Sequence, residues 1–272
     1  MGKFKEFYKD YKKTKKSSAR IYVILRLLVV LCMIIQLMRG AYENAFMCIL
    51  SLILFSVPII FQHTLKIEFP NVLEIFIFFF IFFSLILGEI FYFYGSIRHW
   101  DTLLHTINGF LCAGVGYALV DLFNENSKKI NLSPLYVSIV AFCFSMTVGV
   151  CWEFLEYGVD KVFLKDMQKG EVVNRLSTVE LGSSKNHSPV ILKNIGKTII
   201  YDTKGVELAT IENGYLDIGL NDTMKDLMVN FVGAVTFSVL GYFYLTNRGK
   251  YWFAGNFIPK RPDKKRKIKG DI

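Results

Sequence analysis

Apolar residues fall in six blocks along the chain, covering 21–38, 45–62, 71–94, 101–122, 134–157 and 225–246. Each is close to the roughly 20 residues that an α-helix needs to cross a hydrocarbon core. Short joints, "RGAYEN" and "HTLKIEFP", separate the first three blocks, and "FNENSKKINLS" separates the fourth from the fifth. The pattern predicts an all-α polytopic membrane protein with about six transmembrane helices. The stretch 158–224 breaks the rhythm. Its segment "TIIYDTKGVELATI" alternates β-branched and polar residues around an Asp-Thr-Lys-Gly turn, the pattern of a β-hairpin. A small β-rich insertion outside the membrane is therefore expected.

Composition supports the membrane class. Of 272 residues, 53% are hydrophobic and 25 are Phe, more apolar surface than a soluble domain of this length requires. The net charge of +9 gathers at the two ends, in 1–20 and 247–272. Basic tails beside membrane spans follow the positive-inside rule and meet anionic lipid headgroups; nucleic acid is the weaker partner for them. In the first tail Phe4, Phe7, Tyr8 and Tyr11 recur at helical spacing among lysines, which suits a short amphipathic helix in the interface. Six spans place both termini on one side, the cytoplasmic side, together with Lys128 and Lys129. The insertion then falls on the extracytoplasmic side of the cell (inner) membrane. The five cysteines form no CxxC pair and lie in apolar segments, where Cys behaves as a small hydrophobe.

Candidate chemistry comes from the polar residues inside these blocks, because ionisable groups are costly beside hydrocarbon. In "RHWDTLLHTINGF", Asp101 and His105 stand four residues apart and share one helical face, which Asn108 continues inward. In "VCWEFLEYGVD", Glu153 and Glu156 are three apart. In "LNDTMKDLMVNFVGA", Asp222, Asp226 and Asn230 follow at four-residue intervals, with Gly233 beyond them. Glu89 lies near the outer end of the third block. Four spans thus carry such groups at one depth. One imidazole with several carboxylates is a ligand set for a divalent cation. His105, Glu153, Glu156 and Asp226 are the expected metal ligands. His105, Asp101, Glu153 and Asp226 are the expected catalytic groups. Glu89, Asn108, Asp222 and Asn230 are expected in support. Plainer readings stand beside these: Asp222 as a helix N-cap, Glu156 as a wetted residue, and Arg26 as a side chain snorkelling from the first span.

The blocks "WDTLLHTINGF", "WEFLEY" and "DTMKDLMVNFVGA" resemble, in order, the signature segments of the YjdF-like family of bacterial inner-membrane proteins. More remotely they resemble the VanZ-like family, whose pattern is an Asp-x-x-x-His span, a Glu-containing span and an Asp-x-x-x-Asn-x-x-Gly span. Here the matching residues are Asp101 and His105, Glu153 with Glu156, and Asp226 with Asn230 and Gly233. The likeness runs from about Glu89 to Tyr242. It implies a cell-envelope setting, through the association of VanZ-like proteins with glycopeptide resistance, and it fixes no reaction.

Three functions compete on this evidence. The first is a metal-assisted enzyme acting on a lipid or lipid-linked envelope substrate. Next comes a non-catalytic structural or interaction protein, in which the polar cluster holds helices together. A small transporter ranks third, since the inner halves of the last three spans are mostly apolar and no internal repeat is visible.

Overall fold

The computed structural model describes residues 16–65, 67–126, 132–182, 188–247 and 256–257. The amphipathic part of the first tail, Lys128 and Lys129, and most of the basic C-terminal tail lie outside the described residues.

The chain is mostly helical. It runs through α1 (Lys16–Met38), α2 (Tyr42–Leu54), α3 (Val57–Leu65) and α4 (Asn71–Ile81), which continues as a π-helical stretch over Phe82–Ile90. Then follow α5 (Phe93–Ser96), α6 (Trp100–Asn126), α7 (Pro134–Phe163), six short strands, and α8 (Leu220–Thr246). Six helical stretches are long and apolar enough to cross a membrane: Ser17–Met38, Tyr42–Leu65, Asn71–Ile90, Trp100–Val120, Pro134–Phe163 and Leu220–Thr246. Leu27, Leu31, Phe46 and Phe154 are among many large apolar side chains left exposed on them, as a lipid-facing surface requires. Contacts divide the chain into two units, residues 1–149 with 227–272, and residues 150–226. The division cuts through α7 and α8, each of which is an unbroken helix.

In the first unit, α1 and α2 pack with α4 and its π-helical continuation around Val29, Cys48, Phe55, Phe78 and Ile86. The second span is broken at Phe55 and Ser56, between α2 and α3. Pro58 lies just beyond, and a proline has no N–H to return to the carbonyl four residues earlier. The turn between the second and third spans is pinned from inside. Gln62 accepts a hydrogen bond from the Phe69 N–H at 2.8 Å, and its amide donates to Glu74 Oε1 at 2.7 Å. Glu74 is fully buried, a position a carboxyl group occupies only when hydrogen-bonded.

The same unit holds the crossing of α6 and α8. A β-carbon at Gly109 would collide with the Asn230 carbonyl, and one at Gly233 would collide with the Thr106 carbonyl. Each glycine lets the other helix's backbone approach, as small residues do between membrane helices. Further along, Gly114 meets Phe237 and Gly241 meets Tyr117. The near-constant offset between these partners means that α6 and α8 run parallel.

The second unit contains the end of α7, the first turns of α8 and the strands between them. β1 (Glu171–Val173) pairs with β6 (Tyr215–Asp217), β2 (Arg175–Thr178) with β3 (Val190–Lys193), and β4 (Lys197–Tyr201) with β5 (Glu207–Glu212), all antiparallel. The β4–β5 pair is the hairpin expected from the sequence. The Asp202 carboxylate closes its turn by accepting the N–H groups of Lys204 and Val206, both at 2.8 Å. Gly205 supplies the left-handed residue, at φ +82°. At the base of the insertion, Asp160 of α7 accepts the Met167 and Gln168 N–H groups at 2.7 and 2.8 Å.

Candidate functional site

Helical spacing builds the first half of the site. Asp101 lies in the opening turn of α6 and His105 one turn later, so that His105 Nε2 stands 3.5 Å from Asp101 Oδ1. His105 is buried. A carboxylate at that distance orients an imidazole and fixes which ring nitrogen is free to bind. Asp226, on α8, is 1% exposed and completes a group of three. One potential ligand atom from each of Asp101, His105 and Asp226 lies within 4.8 Å of the others. This buried Asp-His-Asp group could hold a metal ion.

One turn further along both helices the packing explains why these residues meet. Asn230 is fully buried. Its Oδ1 accepts from Asn108 Nδ2 at 3.4 Å, and its Nδ2 points at Met146 Sδ, 3.6 Å away. Gly149 of α7 leaves room for that amide, since a β-carbon there would lie 2.6 Å from Nδ2. Asn108 also accepts from Cys112 Sγ at 3.4 Å. Ser145 of α7 donates to the Gly109 carbonyl at 2.7 Å. Two glycines, Gly109 and Gly149, therefore seat one asparagine where α6, α7 and α8 come together, and Gly233 lets α8 lie against the backbone of α6.

The remaining residues singled out from the sequence stand outside the close Asp-His-Asp group. Glu153 and Glu156 are both buried on α7, and Glu156 Oε1 accepts the indole N–H of Trp152 at 2.8 Å. Asp222 is buried and accepts the Lys169 N–H at 3.1 Å. The first-turn N–H of Asn221 goes instead to Asp217, at 2.8 Å. Asp222 thus ties the insertion to α8, and the capping work at the start of this helix falls to Asp217. Glu89 is exposed in the last turn of the π-helical stretch. The buried pair Gln62 and Glu74 was not singled out from the sequence, although a carboxylate four residues beyond Pro70 inside an apolar block was a signal for it.

No curated protein and no solved structure matches the chain. A family model matches residues 20–247, a stretch that takes in all six spans and the insertion. The chain belongs to the family described as "Predicted membrane protein (DUF2238)".

Proposed function

We propose that the protein is a metal-assisted membrane enzyme acting at the outer face of the cell membrane on a lipid or lipid-linked envelope substrate. The observation that carries this reading is the group of Asp101, His105 and Asp226, with ligand atoms within 4.8 Å of one another. An imidazole in the set favours a transition ion such as zinc or manganese over magnesium or calcium. Two ligands at about 2.1 Å from such an ion can be no more than about 4.2 Å apart, so small rotations of the carboxylates complete the shell. His105 and Asp226 hold the ion, and Asp101 serves as a further ligand or orients the imidazole. Glu153 and Glu156 are the reserve of carboxylates on α7 for proton transfer. The ion's contribution would be to polarise a phosphoryl or carbonyl oxygen and activate water. In this reading both termini are cytoplasmic and their basic tails rest on anionic headgroups. The resemblance of the three motif blocks to the VanZ-like pattern adds to the envelope assignment.

Metal analysis of protein extracted in a mild detergent without chelator tests the proposal. About one equivalent of a divalent transition metal is expected, lost in His105→Ala and Asp226→Ala while both variants elute as the parent does. Extraction without any bound metal, or full retention by both variants, refutes it.

The Asn108–Asn230 contact between α6 and α8 favours a second reading, in which the polar residues hold helices together without catalysis. It predicts that His105→Gln and Glu153→Gln lower thermal stability and change any cellular phenotype only in proportion to protein level.

A further inference from the structure

Residues 164–170 join the end of α7 to β1 and run as a strap across the helix ends of the second unit. Asp160 of α7 holds the strap from one side, through the Met167 and Gln168 N–H groups. On α8, Thr223 Oγ1 accepts from Gln168 Nε2 at 2.6 Å, and Asp222 accepts the Lys169 N–H. Gly219, at φ +108°, lets the start of α8 lie against the strap, since a β-carbon there would stand 2.6 Å from Gln168 Cβ. These fastenings are hydrogen bonds, each of modest net strength in contact with water.

The two ends of the strap are suited to bending. Leu164 is left-handed, at φ +50°, a conformation that costs a leucine energy and is found at switch segments. Its side chain is exposed and gains no burial in return. The other end is Gly170, whose backbone turns freely.

Buried carboxylates lie below. Asp226 is one turn into α8 from Asp222, about 6 Å along the axis, and Glu156 is one turn below Asp160 on α7. They are 1% and 8% exposed. Around them Trp152, Leu155 and Tyr157 on α7 and Met224 and Met228 on α8 are exposed and apolar, faces that suit lipid and repel charge. A charged solute from water therefore reaches these carboxylates past the ends of α7 and α8, where the strap lies.

We propose that the strap is a lid, hinged at Leu164 and Gly170 and closed as it stands, which admits water-borne solutes to Asp226 when its bonds to Asp222 and Thr223 break. Lids of this kind sequester a site between binding events. The proposal rests on the functional reading of Asp226, and its test needs no bound metal, so that either can fail alone.

Carboxyl labelling of the full-length protein in mild detergent with EDTA, using a water-soluble carbodiimide and glycinamide, tests the lid. Peptide mass spectrometry reads the rate at Asp226, with exposed Glu212 and fully buried Glu74 as references. In the parent protein Asp226 should label at least about tenfold more slowly than Glu212. Thr223→Val and Gln168→Ala should each speed labelling of Asp226 by about three- to tenfold, the worth of one hydrogen bond, with Glu212 and Glu74 unchanged. Thr223→Ser, which keeps the hydroxyl, should stay near the parent rate. Labelling of Asp226 as fast as Glu212 in the parent overturns the lid, as do unchanged rates in both Thr223→Val and Gln168→Ala. A rise that Glu74 shares reports general loosening and overturns it as well.

Discussion

Replacing Gly233 by alanine puts one methyl group into the crossing of α6 and α8. The new carbon would lie 2.8 Å from the Phe110 amide nitrogen and closer still to the Thr106 carbonyl oxygen. Both are backbone atoms, so neither can swing aside as a side chain would. Ordinary contact begins near 3.4 Å, so the Phe110 contact alone asks the helices to part by about 0.6 Å and the Thr106 contact asks for more. Forcing a methyl group into a packed interior costs about 1–3 kcal/mol, or roughly a 5- to 150-fold shift in the folding equilibrium. Alanine is also a better helix former than glycine, by about 1 kcal/mol in water, so a reference substitution is needed. Gly158→Ala supplies it: Gly158 lies within α7, and a β-carbon there meets nothing within 4 Å. The assay is unfolding of the purified protein in mixed micelles with rising SDS, followed by tryptophan fluorescence. Gly158→Ala should match or slightly exceed the parent, and Gly233→Ala should fall below Gly158→Ala by about 1–3 kcal/mol. Binding constellations tolerate displacements of about 0.5 Å, so Gly233→Ala should also weaken metal binding. Equal stability of the two alanine variants would refute the crossing geometry on which the site rests.

Other substitutions probe the parts separately. Asp160→Ala removes the acceptor of two backbone N–H groups, so amide exchange at Met167 and Gln168 should accelerate by about tenfold or more, measured by hydrogen–deuterium exchange. Glu74→Leu strips Gln62 of its carboxylate partner and should destabilise the protein by about 1–3 kcal/mol in the SDS assay, whereas Glu74→Gln should cost less. Asp101→Asn weakens the contact that orients His105. Metal affinity should fall by about 10- to 100-fold in a competition titration, with little change in unfolding.

The six spans and the β4–β5 hairpin were legible in the sequence because each is a local pattern: a long apolar run, or alternation around a turn that ends in glycine. Pairing of β1 with β6 was not, since it joins three-residue segments over 40 positions apart and leaves no periodicity to read. The break at Phe55–Ser56 and the π-helical stretch were hidden for a related reason. Both lie inside uniformly apolar runs, where composition reports span length and not hydrogen-bond register. In the candidate site, Asp101 and His105 announce their shared face through four-residue spacing. Asp226 is legible only because its helix starts from the same side. The partners of Glu156 and Asp222 come from an indole and from the Lys169 backbone, neither of which a search for clustered carboxylates would choose. For Arg26 the sequence suggested snorkelling from its place in the span, and what it could not name were the partners of the guanidinium, Tyr22 one turn back and Ser56 on the neighbouring span.

The central claim is that His105 and Asp226 ligate one ion. Electron spin-echo spectroscopy of the protein loaded with one equivalent of Mn(II) tests it most directly, because histidine nitrogen modulates the echo only when bound. The chain has four histidines, so substitution assigns the signal. The account predicts nitrogen modulation in the parent protein, its loss in His105→Gln, and loss of tight Mn(II) binding in Asp226→Ala. Nitrogen modulation that survives His105→Gln, or its absence from the parent, would contradict the account.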